Sequence, residues 1–151
     1  MFQSCVTAPF ARAACEYLRV SNVPDGVDFV RVLGSVQVVM SSGRVVDLSS
    51  VSQRRLLAVL ALHTRTSLRP EWLADALDVS PGALRTQVSR LRKVLGDGNL
   101  STASTGYRLD LDVDADVFCR EIATAAERDP IGTFERALAR WRGAALEEFA
   151  G

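Results

Sequence analysis

The sequence predicts an α+β fold in which a small β-meander, three helices and a β-hairpin precede a pair of helices. Three observations lead there. The β-branched runs FVRVL, VQVVM and RVVDL follow one another between residues 29 and 48 with turn residues between them. From Ser49 to Gly96 the apolar residues recur at the helical period instead. After Gly96 the alternation of strands returns in LSTAS and YRLDL, and helical spacing resumes beyond residue 112.

Composition sets the bounds. With 151 residues, 48% of them hydrophobic and 24% charged, the chain has the balance of an ordinary globular domain with an appendage. Its net charge is zero, but the charge is unevenly spread. Residues 1–28 hold two Arg against three acids, residues 29–111 eleven Lys and Arg against six acids, and residues 112–151 five Arg against nine acids. A basic middle beside an acidic end suits nucleic-acid contact by the middle and another task for the end. The cysteines Cys5, Cys15 and Cys119 are odd in number and unpaired at any metal-ligand spacing, so no disulfide framework or zinc site is implied, and a cytoplasmic setting fits. No apolar run is long enough to span a bilayer, so no membrane partner is expected.

Residues 1–27 read as an extension in which PFARAACEYLRV could form a short helix before the breaker Pro24-Asp25-Gly26. From Asp28 the three β-branched runs, separated by Gly34-Ser35 and Ser41-Ser42-Gly43, have the spacing of an antiparallel meander. Ser49 to Ser52 offer N-caps for a helix through QRRLLAVLALHTR, whose core face is Leu56, Leu57, Leu60 and Ala61. His63 near its end has no partner spaced for a metal and reads as a structural or surface residue, while Arg54, Arg55 and Arg65 could reach phosphates or simply face water. Pro70 opens a second helix with Trp72, Leu73, Ala76 and Leu77 turned inward, and Asp78-Val79-Ser80 is the turn that follows.

The third helix, PGALRTQVSRLRKVLG from Pro81 to Gly96, has the clearest boundaries, with proline for the first turn and glycine for the cap. Leu84, Val88, Leu91 and Leu95 form one apolar stripe at about 100° per residue. The opposite face carries Arg85, Thr86, Ser89, Arg90 and Lys93, flanked by Gln87 and Arg92, with no carboxylate. Such a face suits a polyanion. The hairpin that follows has Ser104-Thr105-Gly106 at its tip. Helix, turn, basic helix and hairpin in this order describe a winged helix-turn-helix.

Here a resemblance enters. RTQVSRLRKVLGD followed by TGYRLDL resembles the recognition helix and wing of OmpR/PhoB-type DNA-binding domains. VRVLGSVQVVMSSGRVVDLSSVSQRRLLAVLALH is similar to the N-terminal sheet and first helix of one branch of them, the Streptomyces antibiotic regulatory protein (SARP) family. VDADVFCREIATAA and FERALARWRGAALEEF resemble the opening of the bacterial transcriptional activator domain that follows in that family. The resemblance covers residues 28–150 and divides the chain into an extension (1–27), a winged helix (28–111) and a partial helical-repeat segment (112–151). It implies a transcriptional activator acting at direct repeats in double-stranded promoter DNA, with RNA polymerase as a partner, a homo-oligomer on DNA and no cofactor. Two departures stand out: the short turn with Asp78 where an aromatic is common, and a wing tip without an inserting arginine, leaving Arg108 to touch phosphate.

In the last stretch Phe118, Ile122 and Ala125, then after Asp129-Pro130 the residues Phe134, Ala137, Leu138, Trp141 and Ala145, predict two amphipathic helices with small residues at their crossing. One such hairpin buries its own apolar face poorly, so it packs on the winged helix, on another subunit or on nothing. The alternating acids Asp110, Asp112, Asp114 and Asp116 lack the glycine and final Glu of a calcium loop and read as solvated acids ahead of a helix.

Position on the third helix divides its labour. Arg85, Thr86 and Ser89 are placed to read base edges, and Arg90, Arg92 and Lys93 to clamp phosphates. The sequence holds no phosphate loop, nucleophile elbow or paired catalytic carboxylates, so an enzyme is not expected. The alternative is a protein-interaction module or a regulatory remnant in which the winged helix survives while DNA binding is weak or lost.

Overall fold

A computed structural model describes residues 26–125 and 129–149. The expectation of a short helix in PFARAACEYLRV lies outside the described residues. The meander forms as expected: β1 (Val27–Arg31), β2 (Gln37–Met40) and β3 (Val45–Asp47) are antiparallel, with Val30 opposite Val38 and Val39 opposite Val45. Three helices follow, α1 (Val51–Leu62), α2 (Pro70–Leu77) and α3 (Pro81–Leu95). The second sheet is the hairpin β4 (Leu100–Ala103) and β5 (Gly106–Leu109). A short strand β6 (Asp112–Val113) then returns to the first sheet and pairs parallel with β1, giving the order β3-β2-β1-β6. The sequence reading has no such strand and starts its helical segment at residue 112. Two residues are too few to show an alternation, and their partner lies far away in the chain.

Between the sheets and the helices lies one core. Leu56, Leu57 and Leu60 of α1 meet Leu73 and Leu77 of α2, the stripe Leu84, Val88, Leu91 and Leu95 of α3, Val30 and Val38 of the first sheet, and Leu100 and Leu109 of the second. Full burial of a side chain of this size is worth about 1.5–3 kcal/mol, so the stripe of four holds α3 far more firmly than its intrinsic propensity does. On α2 the inward face differs from expectation. Leu73, Ala74 and Leu77 are buried, whereas Ala76 is exposed and Trp72 is 42% exposed. Trp72 sets its ring edge-on against His63 at 5.4 Å, a contact on the surface that gives the histidine a structural partner.

Behind the sheet stand α4 (Asp114–Thr124) and α5 (Pro130–Leu138). Ala125 at the end of α4 and Ala137 of α5 are buried, Phe118 meets Trp141 edge-on at 5.6 Å, and Arg140 grips Glu121 with two hydrogen bonds of 2.9 and 2.7 Å. The expected continuation of the second helix toward Ala145 fails. α5 ends at Leu138, and the chain turns back to the sheet, where the Arg142 N–H donates to the Leu33 carbonyl (3.0 Å) and the Leu146 N–H to that of Val32 (2.9 Å). These bonds to another element replace the helical ones. A 3₁₀ turn, Glu147–Phe149, completes the return. Leu146 and Phe149 pack against the core, Glu147 accepts from the Ser35 hydroxyl at 2.8 Å, and Glu148 pairs with Arg54 at 2.9 Å. Of the three placements open to the helical pair, the structure has it on the winged helix.

Asp114 corrects a further expectation. It is 4% exposed rather than solvated, and its carboxylate accepts from the backbone N–H groups of Val32 (2.7 Å) and Leu33 (3.3 Å). The other acids separate. Asp110 pairs with Arg108, Asp112 with Arg65, and Asp116 accepts from the Thr64 hydroxyl. Arg54, Arg65 and Arg108, read from sequence as cations facing outward, thus each have a carboxylate of their own.

Candidate nucleic-acid interface

α3 is positioned by both ends and one face. The Ser80 hydroxyl accepts from the Ala83 N–H (3.2 Å), Pro81 occupies the first turn, and Gly96 closes the helix at φ +89° with its N–H on the Arg92 carbonyl. Ahead of it Asp78 adopts a left-handed conformation, φ +53°, and makes the sharp turn out of α2. With Leu84, Val88, Leu91 and Leu95 buried, geometry sends Arg85, Thr86, Ser89, Arg90 and Lys93 outward, and all five are exposed. Among the described residues no carboxylate pairs with Arg85, Arg90 or Lys93. Thr86 turns its hydroxyl to the Gly82 carbonyl at 3.1 Å.

The wing is fixed by backbone. Leu68 exchanges hydrogen bonds with Tyr107, 2.8 Å one way and 2.9 Å the other, so the segment before α2 forms a third rung of the hairpin sheet. Gly106 has φ +145°, and a Cβ there would lie 1.9 Å from the Leu68 carbonyl oxygen, so only glycine allows this approach. The tip itself is Ser104 and Thr105, and the Thr105 hydroxyl reaches that of Ser67 at 2.9 Å.

Two of the seven residues singled out in the sequence lie apart from the outward face. Arg92 is half buried, and its guanidinium donates to the Leu100 carbonyl (3.0 Å) and the Thr102 hydroxyl (2.8 Å), tying α3 to the first strand of the wing. Arg108 pairs with Asp110 at 2.8 Å. The structure also brings in a cation the sequence reading passes over. Arg69, exposed at the start of α2, lines a groove of about 390 Å³ together with Ser104 and Thr105 of the wing tip. A cation immediately before a proline-opened helix was the available signal. The interface therefore consists of a basic helix face with short hydroxyl side chains, and a wing edge with one arginine beside it. Such a surface can take phosphates and present hydrogen-bonding groups between them.

No protein-family model and no curated protein matches the chain significantly. Among solved structures it resembles Mycobacterium tuberculosis EmbR, solved in complex with a low-affinity phosphopeptide, at 28% identity and a TM-score of 0.65 over 83% of this chain. The chain spans only 38% of that EmbR chain. The DNA-binding domain of Escherichia coli CadC matches over 56% of this chain and 94% of its own length, at 25% identity and a TM-score of 0.43. The order of elements, with a β-hairpin wing after the third helix, and the likeness to EmbR mark the chain as a winged-helix fold followed by a helical pair.

Proposed function

We propose that the chain acts in the cytoplasm as a transcriptional activator that places α3 in the major groove of direct repeats at a promoter. The observation that carries this reading is the outward face of α3, where Arg85, Arg90 and Lys93 have no carboxylate among the described residues. Arg85, Thr86 and Ser89, nearest the helix start, read base edges, and Arg90 and Lys93 hold phosphates on either side. Arg69 adds a phosphate contact beside the wing. Arg92 sets the angle between helix and wing, and Arg108 meets phosphate only when it parts from Asp110.

Direct repeats require copies of the chain side by side. An apolar stripe on the helical pair, Ile131 (74% exposed), Phe134, Leu138 and Trp141, supports protein contact there, with a neighbouring copy or with RNA polymerase. The same stripe supports the second reading, a protein-interaction module with weak DNA binding. Sequencing the duplexes that the purified chain enriches from a random pool separates the two. A direct repeat is the expected result; no enrichment, with weak retention on random duplex at low salt, leaves the second reading. Arg90→Ala should weaken binding about equally across sequences and reduce the slope of log K against log salt by about one unit. An unchanged slope would remove Arg90 from the phosphate contacts.

A further inference from the structure

On the side of β1 that faces α4 and the turn after α5, a cavity of about 210 Å³ is lined by Phe29, Arg31, Asp114, Ala139, Arg140 and Arg142. None of these residues belongs to α3 or the wing. Three guanidiniums around so small a space call for a charge count. Arg140 is neutralised by Glu121 in a two-bonded pair. Asp114, the carboxylate inside the cavity, already has one oxygen on the Val32 N–H and the other on that of Leu33. Arg142 donates only to uncharged acceptors, the Gln37 amide oxygen (2.8 Å) and the Ser35 carbonyl (2.9 Å). Arg31 is half buried, and its guanidinium has no hydrogen bond or ion pair among the described residues, resting 5.5 Å over the Phe29 ring.

With Asp114 counted against them, Arg31 and Arg142 share a surplus of about one positive charge. Burial, and then Arg142 beside it, push the Arg31 guanidinium below its ordinary pKa, although Asp114 pulls the other way. An arginine does not escape by losing its proton, so the cost stands until an anion arrives. Both guanidiniums keep donors to spare, since each carries five N–H groups and Arg142 spends two bonds.

We infer that this cavity is a binding site for a phosphate group, held between Arg31 and Arg142 at the seam of the sheet and the helical pair. A phosphate group, about −1.5 to −2 at neutral pH, meets this surplus and the free N–H donors of the two guanidiniums. The volume falls below the roughly 300–1,000 Å³ of sites for drug-sized ligands, so the ligand is a free phosphate or the phosphate end of a small monoester. Bound there, the anion joins β1 to the residues after α5, and so ties the helical pair to the winged-helix unit.

The test is thermal unfolding and calorimetric titration of the full chain with inorganic phosphate and, separately, methyl phosphate, against chloride at matched ionic strength. Phosphate should raise the melting temperature of the wild type. Arg31→Gln should melt no lower than wild type without phosphate, because it removes a half-buried positive charge crowded by Arg142, yet lose about tenfold or more in phosphate affinity. Arg31→Lys should keep part of the response, and Arg90→Ala on α3 should keep all of it. Tighter binding of methyl phosphate than of inorganic phosphate identifies a monoester as the ligand; the reverse order identifies the free anion. Equal responses in wild type and Arg31→Gln, loss of the response in Arg90→Ala, or no response to either compound would overturn the site.

Discussion

Three charged residues, Arg90, Arg92 and Asp114, sit in three different surroundings. Arg90 and Arg92 are two apart on α3, yet the 100° step turns Arg90 to solvent and Arg92 onto the Leu100 carbonyl and the Thr102 hydroxyl. Arg92→Ala should therefore lower stability by about 1 kcal/mol in denaturant melts, through lost hydrogen bonds from a charged donor, and leave the salt slope of DNA binding unchanged. That is the reverse of the pattern expected for Arg90→Ala, and a salt slope reduced by Arg92→Ala would return this residue to the phosphate contacts. Asp114 is the third. Its removal strands two buried N–H groups, those of Val32 and Leu33, each costing about 1–3 kcal/mol when unpaired. Asp114→Ala should accordingly destabilise the chain by about 3 kcal/mol or more, measured as a fall in the urea midpoint with the slope m unchanged. A loss within 0.5 kcal/mol would mean that water replaces the carboxylate.

Elements differ in how far their own residues define them. α3 was legible from sequence because its signals are local: Ser80, Pro81 and Gly96 mark the ends, and the stripe from Leu84 to Leu95 marks the buried face. The outward placement of Arg85, Thr86, Ser89, Arg90 and Lys93 follows from that stripe by helical geometry. What escaped the sequence depends on distant partners. Asp114 meets residues 82 and 81 positions away, β6 needs β1 to exist as a strand, and α5 stops because Arg142 and Leu146 find carbonyls on Leu33 and Val32. Gly34 belongs to this group, since its φ of +129° and its approach within 3.1 Å of the Arg142 Cβ, measured from an added Cβ, reveal themselves only in the fold. The contact between α4 and α5 has a pH dependence of its own. The Glu121 carboxyl is held below its ordinary value of 4.5, chiefly by the hydrogen bond from Arg140 and against some burial, with the charges of Arg140, Arg136 and Arg120 adding to the effect. A carboxylate lowered in the folded state stabilises fully above its unfolded value, and that contribution disappears as pH falls through the folded one. Stability should therefore decline on acidification below about pH 4.5 more steeply in wild type than in Glu121→Gln. Parallel pH profiles for the two proteins would deny the pair any linkage to folding.

At the scale of the molecule, the question is whether the basic winged helix and the acidic helical pair fold as one. The pair is attached at both ends: Asp114 locks its beginning onto residues 32 and 33, and the return from Arg142 to Phe149 bonds the same loop and inserts Leu146 and Phe149 against the core. Arg54 on α1 is joined to Glu148 in the return, both side chains only 22% exposed, so the first helix of the winged-helix unit and the 3₁₀ turn Glu147–Phe149 share an ion pair. Unfolding either part thus exposes apolar surface and strands polar groups of the other, which is the condition for a single cooperative transition. The two tryptophans make this measurable, since Trp72 lies on α2 and Trp141 just beyond α5. In Trp72→Phe the remaining fluorescence reports the helical pair, and in Trp141→Phe it reports the winged helix. With each variant compared with its own circular-dichroism melt, fluorescence and ellipticity should share one urea midpoint in both proteins. If the Trp141 signal instead changed at lower urea than the ellipticity of the same protein, the helical pair would be a separately melting unit. Leu146→Ala, which removes about 1–2 kcal/mol of packing from a partly buried side chain at the shared seam, should shift both fluorescence transitions together if the two parts are one folding unit.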